Sequence, residues 1–462
     1  MSIKGSNIRS FLIFFGDIFI VPLSYVAAYY LRFFTFWGFW EKFPLWFLFL
    51  MALSYIGIFY FFDLYKLNKD YSSLNFFVKI CLSIALASVF ISFLNYAIFL
   101  FPIGRGILLI ANFIVLIYTS AWRGFCYKLF KYLVKPKRLV IAGAGKEGQE
   151  IAQVIESAGE DFEVVGFIDD DKDKIGKSVP GEKIKILGTS DQLLSLVEKH
   201  RIDEIVFAYR EKDNPRLTKN ILSARLKGIE VIDMPDMYQA LKWKIPINYI
   251  DENWFLREKD FEYPKNILVM KAKQLIDTVV ASLILLISLP LWPIIALLIK
   301  MNSRGPVLYV QQRVGKNESF FYLYKFRSMI DKAEEDEAVW ADEDDKRITF
   351  VGKILRKLHL DELPQFWNVI KGEMSLVGPR PERPEFVEEL EKKIPYYSLR
   401  HFMKPGLTGW AQVNFPYASS IEDSQEKLEY DLYYISHMNL LFDVQVLLKT
   451  AQKILLGKQK LG

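Results

Sequence analysis

The sequence predicts an α/β protein joined to membrane α-helices: a four-helix N-terminal transmembrane bundle, a doubly wound α/β middle domain and an α-rich C-terminal domain entered through a re-entrant membrane helix. Three observations predict this. Apolar runs fill residues 1–130. A short strand, a glycine-rich turn and a helix follow one another from residue 138. A further apolar stretch at 274–299 is broken by prolines and has basic residues at both ends.

The composition agrees. The chain has 462 residues, of which 52% are hydrophobic and 15% aromatic, and the excess sits at 1–130 and 274–299. The net charge of +5 comes from 59 basic and 54 acidic residues, too mild a surplus for nucleic acid. Basic clusters beside apolar segments suit an anionic membrane surface instead. Cys81 and Cys126 both lie in apolar stretches and read as small core residues, not as a disulfide framework. The first apolar run is too long for a cleavable signal peptide and has no small-residue cleavage site.

A spanning helix needs about 20 mostly apolar residues. Segments 10–32, 44–63, 76–101 and 106–127 meet this. Basic residues flank them unevenly: Lys4 and Arg9 before the first, Lys66 and Lys69 after the second, and Arg123, Lys128, Lys131, Lys135, Lys137 and Arg138 at the end of the fourth and beyond it. The positive-inside rule then puts the N-terminus and everything after residue 130 in the cytoplasm. The segments hold few polar groups, which argues for an anchor and against a transport path.

Residues 138–148, RLVIAGAGKEG, carry Gly143, Gly145 and Gly148 in a G-x-G-x-x-G pattern between a strand and a helix. A second strand ends at Asp169, and further strand-like and helical runs alternate to about 240. This is a Rossmann-like unit over 137–240. Glycines of this kind let a backbone approach phosphate, so Gly143, Gly145, Gly148 and Asp169 are candidate nucleotide ligands. Asp169 equally opens an Asp169-Asp170-Asp171 turn, and no catalytic Tyr-Lys pair is visible. A ligand-binding domain and a regulatory or assembly module both remain open.

In 274–299, Lys271 and Lys273 precede the apolar run and Lys300 and Arg304 follow it, so both ends belong in the cytoplasm. Pro290 and Pro293 each remove a backbone donor and bend a helix. The expectation is a helix-break-helix that enters one leaflet and returns; a kinked spanning helix is the alternative.

Beyond it, Arg313, Lys316, Lys325, Arg327, Arg347, Lys353, Arg356, Lys357, Arg380 and Arg383 crowd one region, several beside Gly or Pro. Cations and exposed backbone donors together suit a diphosphate. Asp361-Glu362-Leu363-Pro364 opens a predicted helix over 362–371, with Asp361 as its N-cap and Pro364 in the first turn. Taken alone, the pair reads as a cap and a dipole partner. The acidic run from Asp331 to Asp345 reads as a solvated loop, because its spacing matches no calcium loop. The four histidines are scattered; His359 is given no role. There is no Cys/His zinc spacing, no G-x-S-x-G and no phosphate-loop motif.

Ordered motifs run through this region. They are Q-x-R-x-G at Gln311–Gly315, K-F-R-S-M at Lys325–Met329 and L-D-E-L-P-Q-x-x-N at Leu360–Asn368. M-S-L-V-G-P-R-P spans Met374–Pro381, K-P-G-L-T-G-W-A-Q-V-N spans Lys404–Asn414 and Y-D-L-Y-Y spans Tyr430–Tyr434. Through them, residues 268–462 closely resemble the bacterial sugar transferases, the polyprenyl-phosphate hexose-1-phosphate transferases of monotopic type. With four N-terminal helices and a middle domain, the whole chain resembles the large members that start exopolysaccharide or O-antigen synthesis, such as undecaprenyl-phosphate galactose and glucose phosphotransferases.

The resemblance implies a bacterial inner-membrane enzyme with its catalytic domain on the cytoplasmic face. Asp361 would attack the β-phosphorus of a UDP-sugar, release UMP and pass the sugar phosphate to undecaprenyl phosphate. Mg2+ would be held by Asp361 and Glu362. Arg356 would meet the lipid phosphate, and Arg313, Lys325, Arg327, Arg380 and Arg383 are the other phosphate candidates. A homodimer fits the family architecture. Two departures stand out: Leu289, where the family has serine, precedes Pro290, leaving Ser288 or Pro293 to support the break, and Phe415-Pro416-Tyr417 follows Q-V-N. The hexose is left open. Two other readings are a nucleotide-sugar dehydratase or epimerase on the middle domain, which does not explain residues 305–440, and a non-catalytic export scaffold, which predicts a damaged acidic pair.

Overall fold

The structure, a computed structural model, describes all residues except 1–3, 66–73, 99–103, 134, 160, 180–183, 209–214, 258–260, 262–266, 331–346, 416–419 and 457–462. Lys66, Lys69, the acidic run Asp331–Asp345 and Pro416-Tyr417 therefore lie outside the described residues. The chain divides into two compact units, Met1–Met234 and Pro235–Gly462.

In the first unit, long helices occupy Lys4–Phe33, Leu45–Phe61, Leu74–Ile98 and Arg105–Leu133. Within them, Ser10–Phe33, Phe76–Leu94 and Arg105–Phe130 are long and apolar enough to cross a membrane; Leu45–Phe61 has 17 residues, the lower end of the spanning range of roughly 17–25. Phe15, Phe19, Leu109 and Phe113 are exposed on the outside of this bundle. Several of its buried polar groups are paired. Arg123 meets Asp17 at 2.8 Å and lies over the Phe59 ring at 5.0 Å. Tyr25 and Tyr55 share a hydroxyl hydrogen bond of 3.3 Å, Tyr55 donates to Asn112, and Asn112 Nδ2 donates to Ser88 Oγ at 2.7 Å. Without water every buried donor needs such a partner. Arg123 thus drops out of the basic flank used to orient the bundle, because its charge is spent on Asp17; exposed Lys128 and Lys135 remain.

The same unit holds five parallel strands: β1 (Lys137–Ala142), β2 (Phe162–Ile168), β3 (Ile186–Gly188), β4 (Glu204–Phe207) and β5 (Glu230–Asp233). Their order, β3-β2-β1-β4-β5, is doubly wound. Val140, Ala142, Ile168, Leu193, Ile205 and Ile221 form its core. β5 has only Val231 and Ile232 as apolar residues, too short a run to be singled out from sequence. Gly148 lets the helix Lys146–Ala158 sit on the turn: a Cβ there would stand 1.9 Å from the Gly143 carbonyl oxygen.

In the second unit, the apolar stretch forms a helix Ile267–Ser288, a 3-10 turn Leu289–Leu291 and a helix Trp292–Asn302. Ser288 bridges the break. Its Oγ donates to the Leu285 carbonyl at 3.0 Å and accepts from the Trp292 indole at 3.3 Å. A hairpin of β6 (Leu308–Val314) and β7 (Phe320–Phe326) follows, and β8 (Ser375–Val377) pairs in parallel with β9 (Gly406–Thr408). The motif glycines have a steric role here: a Cβ on Gly406 would lie 2.1 Å from Gly378 N, and one on Gly409 2.3 Å from Gly378 O. Val314, Leu323, Phe366, Leu376, Trp410 and Leu432 belong to the core around these elements.

The expected helix over 362–371 starts later. Leu360–Glu362 is a 3-10 turn, and the α-helix is Gln365–Ile370 with Pro364 at its N-cap. His359, with φ of 53°, reverses the chain and separates the turn from the helix Phe350–Lys357 before it. Asp361 caps nothing with its side chain, so the expectation that it is an N-cap is wrong.

Candidate active site

The geometry around the 3-10 turn treats its two carboxylates differently. Asp361 is 6% exposed, and among the described residues its carboxylate makes no hydrogen bond or ion pair. Glu362 is paired through one oxygen: Oε1 receives Lys325 Nζ at 3.2 Å and Arg380 Nη2 at 2.9 Å. Lys325 comes from β7 and Arg380 from the loop after β8, so segments far apart in sequence converge on this turn.

The electrostatics follow. Burial raises the Asp361 carboxyl above its ordinary value and Glu362 raises it further, while Lys325, Arg356 and His359 oppose without winning. Burial alone would also raise Glu362, but Lys325 and Arg380 together hold it well below the usual carboxylate range. Adjacent groups pushed apart in this way are a pattern of acid–base and nucleophilic sites. An ionised, pre-paired Glu362 sits beside a carboxylate left unpaired.

The loop Pro379–Arg383 is held from behind. Arg400 Nη2 donates to the Arg380 carbonyl at 3.0 Å and to Asp431 at 2.8 Å, and its Nη1 donates to the Tyr397 hydroxyl at 2.6 Å. Arg400 and Asp431 are 3% and 1% exposed. Arg313 Nη1 donates to the Pro381 carbonyl at 3.1 Å and Nη2 to Gln311 at 2.6 Å. Lys427 meets Glu382 at 2.5 Å; burial opposes the ionised form of Glu382, but Lys427, Arg400 and Arg313 hold it down to about 2.

Sequence reasoning saw Y-D-L-Y-Y but gave it no task. Asp431 anchors Arg400, and Tyr434 donates to the Val377 carbonyl at 3.1 Å and to Asp443 at 2.5 Å. Asp443 in turn pairs with Lys273 at 2.6 Å, so Lys273 is a buried partner and not a free basic flank; Lys271 alone keeps that role. Ser375 donates to Asp277 at 2.6 Å. Asn368, wholly buried, donates to Tyr322 O and to Glu373 at 2.7 Å each and accepts from Tyr324 N, tying the turn to β7. Gln365, 2% exposed, leaves its Nε2 donor without a partner one turn beyond Asp361.

The remaining candidates separate by position. Arg356 ends the helix Phe350–Lys357, half-buried, and its charge acts on Asp361. Arg327 clamps Ser303 through both its carbonyl and hydroxyl oxygens at 2.9 Å, and its Nε and Nη1 make no hydrogen bond. Arg383 sits 3.5 Å from Glu385 and over the Phe386 ring. In the other unit, both carboxylate oxygens of Asp169 accept amides, from Ala144 N at 3.1 Å and Asp171 N at 3.0 Å. Asp169 therefore braces the glycine turn, and its geometry is that of a turn residue.

The pair Asp361 and Glu362 fits a magnesium ion. Both are hard oxygen donors, Asp361 has its carboxylate free, and Mg2+ is usually held by one or two carboxylates with phosphates completing its shell.

Comparison with known proteins gives the family. Residues 268–457 match the family model described as bacterial sugar transferase, and residues 60–235 match one described as a CoA-binding domain. A UDP-N-acetylgalactosamine-undecaprenyl-phosphate N-acetylgalactosaminephosphotransferase of Aeromonas hydrophila is 39% identical over 56% of this chain and 60% of its own length. A UDP-glucose:undecaprenyl-phosphate glucose-1-phosphate transferase of Klebsiella pneumoniae is 34% identical over 59% of this chain and 58% of its own. The match thus spans about three-fifths of these two relatives. A putative undecaprenyl-phosphate N-acetylgalactosaminyl 1-phosphate transferase of Bacillus subtilis is 45% identical over 28% of this chain and 72% of its own length. With its paired carboxylates, its arginine-braced loop and these relatives, the chain belongs to the bacterial sugar transferase family.

Proposed function

We propose that the chain transfers a hexose-1-phosphate from a UDP-sugar to undecaprenyl phosphate, by way of a phosphosugar bound covalently to Asp361. The observation that carries this is the contrast within the pair: Glu362 absorbs two cations, and Asp361 is buried with its carboxylate unengaged. An Asp361 oxygen attacks the β-phosphorus of the donor. The bond from that phosphorus to the bridging oxygen breaks, and UMP leaves with the electron pair. An oxygen of the lipid phosphate then attacks the same phosphorus, and Asp361 departs as the free carboxylate. Two displacements replace one difficult encounter between large anions. Lys325 and Arg380 place positive charge beside the reacting phosphate, and the Gln365 amide supplies an unspent donor. Bound magnesium would screen the diphosphate charge, held by Asp361 and Glu362.

The acceptor is a lipid, so the site must meet a membrane. The helix Ile267–Ser288 buries Lys273, Asp277 and Ala281 within its unit, and Trp292–Asn302 buries Ile295 and Ile299 against Phe326 and Leu355. Around the break, Leu286, Ile287, Leu289 and Ile294 are exposed. Apolar residues are exposed along the arms as well, Leu275, Val279, Leu283, Leu297 and Met301 among them; that both arms nevertheless pack on one domain supports a re-entrant segment over a spanning one. Phe350, Ile354 and Leu358 are likewise exposed at intervals of four, 73%, 47% and 56%, the stripe of an interfacial helix. Arg356 on that helix is then level with lipid phosphates. The domain faces the cytoplasm in this reading, where nucleotide sugars are made.

The test is UMP release from UDP-glucose and UDP-N-acetylgalactosamine with undecaprenyl phosphate and magnesium. Wild type releases UMP with at least one donor, and Asp361→Asn does not. Unchanged release by the variant sinks the nucleophile assignment.

A further inference from the structure

We propose a second metal site, built from none of the residues of the carboxylate pair: Glu318, Glu391 and His401 form a nitrogen–oxygen site for a divalent transition ion of the zinc type. This goes beyond the transfer reaction and does not depend on it.

The three residues come from separate elements. Glu318 ends the turn Lys316–Glu318 between β6 and β7, where Asn317 and Glu318 have φ of 52° and 60°. Glu391 lies on the helix Pro384–Lys393 and His401 on the 3-10 segment Tyr397–Phe402. One ligand atom from each lies within 4.8 Å of the others.

Clustered acidic groups alone mean little. The imidazole is the independent observation. His401 is 7% exposed, its Nδ1 has no hydrogen-bond partner, and that nitrogen faces Glu391 Oε1 at 4.0 Å. A buried polar nitrogen left unpaired is destabilising. Burial, and then Arg400, push the ring down to about 4, so it is uncharged at neutral pH and offers a lone pair. On the other side, burial and then the nearby Glu318 and Glu388 raise the Glu391 carboxyl. An unpaired neutral nitrogen and crowded carboxylates are two costs, and one cation relieves both.

The donor set selects the ion. One imidazole with two carboxylates is a zinc-type set, whereas magnesium prefers oxygen alone. Donors around tetrahedral zinc stand about 3.4 Å apart. Both glutamates are exposed, and their side chains turn inward by the small remainder. Water completes the shell on the exposed side. Such an ion ties the hairpin turn to the segment carrying Arg400, which holds the Arg380 carbonyl. It would stiffen the loop that presents Arg380.

The experiment uses the full chain in detergent, stripped with a chelator and titrated with Zn2+ in excess Mg2+. Wild type and Asp361→Asn should each bind one equivalent, with an imidazole signature in zinc X-ray absorption. Glu391→Gln and Glu318→Gln, exposed positions that leave the fold intact, should bind about tenfold or more weaker. The proposal is overturned if wild type binds no zinc, if Glu391→Gln binds as wild type does, or if Asp361→Asn loses the equivalent.

Discussion

Glu362→Gln offers a test of how the two carboxylates divide their work. The substitution keeps an oxygen acceptor for Lys325 and Arg380 but removes the negative charge. An opposite charge beside a carboxyl lowers its pKa by about 1–3 units, and a like charge acts in the other sense by Coulomb's law. Glu362 is already partly neutralised by cations at 3.2 and 2.9 Å, so the lost repulsion is worth about 1 unit, the low end of that range. The two cations, no longer balanced, then act on Asp361 and add a comparable amount. The sign is fixed by chemistry: a carboxyl in the proposed nucleophilic role attacks only when ionised, and that of Asp361 is raised by burial first and by Glu362 second. Removing the second cause lowers it. The acid limb of kcat/KM for UMP release should move down by about 1–2 pH units, or about 1.4–2.8 kcal/mol in the ionisation of Asp361. The plateau should fall at the same time, because one of the two carboxylates proposed to hold magnesium is gone. An acid limb that stays in place, or moves to higher pH, refutes the reasoning whatever happens to the plateau.

Three further outcomes are expected. Asp431→Asn removes the ion-pair partner of the buried Arg400 guanidinium, leaving only the more distant Glu382 charge, and should cost about 3 kcal/mol in chemical denaturation, whereas a loss below about 1 kcal/mol would mean the pair is not closed. Pairing Asp431→Leu with Arg400→Met should recover stability but not turnover, since the Arg380 carbonyl loses its clamp. In the middle domain, Gly148→Ala should lower the melting temperature and Gly145→Ala should not, because a Cβ at 148 meets the Gly143 carbonyl at 1.9 Å while one at 145 meets nothing within 4 Å; equal effects would remove the steric account. In sealed vesicles, cysteines placed by Ser319→Cys and Lys199→Cys should both react from the cytoplasmic side only, and labelling of Ser319→Cys from outside would rule out the re-entrant segment.

Much of the fold was legible in local sequence. Apolar runs give helices of spanning length because the period of burial is written in the residues themselves. G-x-G-x-x-G announced the turn at Gly143–Gly148, since no side chain fits against the Gly143 carbonyl. Pro290 marked the break, and Ser288 proved to be the residue that bridges it. The helix start near Asp361 was misread because Asp-Glu-Leu-Pro resembles a cap-and-first-turn pattern, and nothing local reveals that His359 takes a left-handed conformation. β5 was missed because two apolar residues carry no period.

What sequence alone determined is the kind of residue at each place: where apolar segments lie, where glycine is required, and that Asp361, Glu362, Lys325 and Arg380 are of residue types suited to phosphate chemistry. Only the tertiary structure decided who meets whom. Arg123 and Lys273 counted as flanking charges until Asp17 and Asp443 were found against them. Arg400 and Asp431 had no task until they closed behind Arg380. Glu318, Glu391 and His401 follow no ligand spacing and converge only because a hairpin turn, a helix and a 3-10 segment pack together. The physical reason is the same in each case. Burial follows local periodicity, but a charge in a low-dielectric interior is settled by its partner, and the partner is brought from a distant part of the chain by folding.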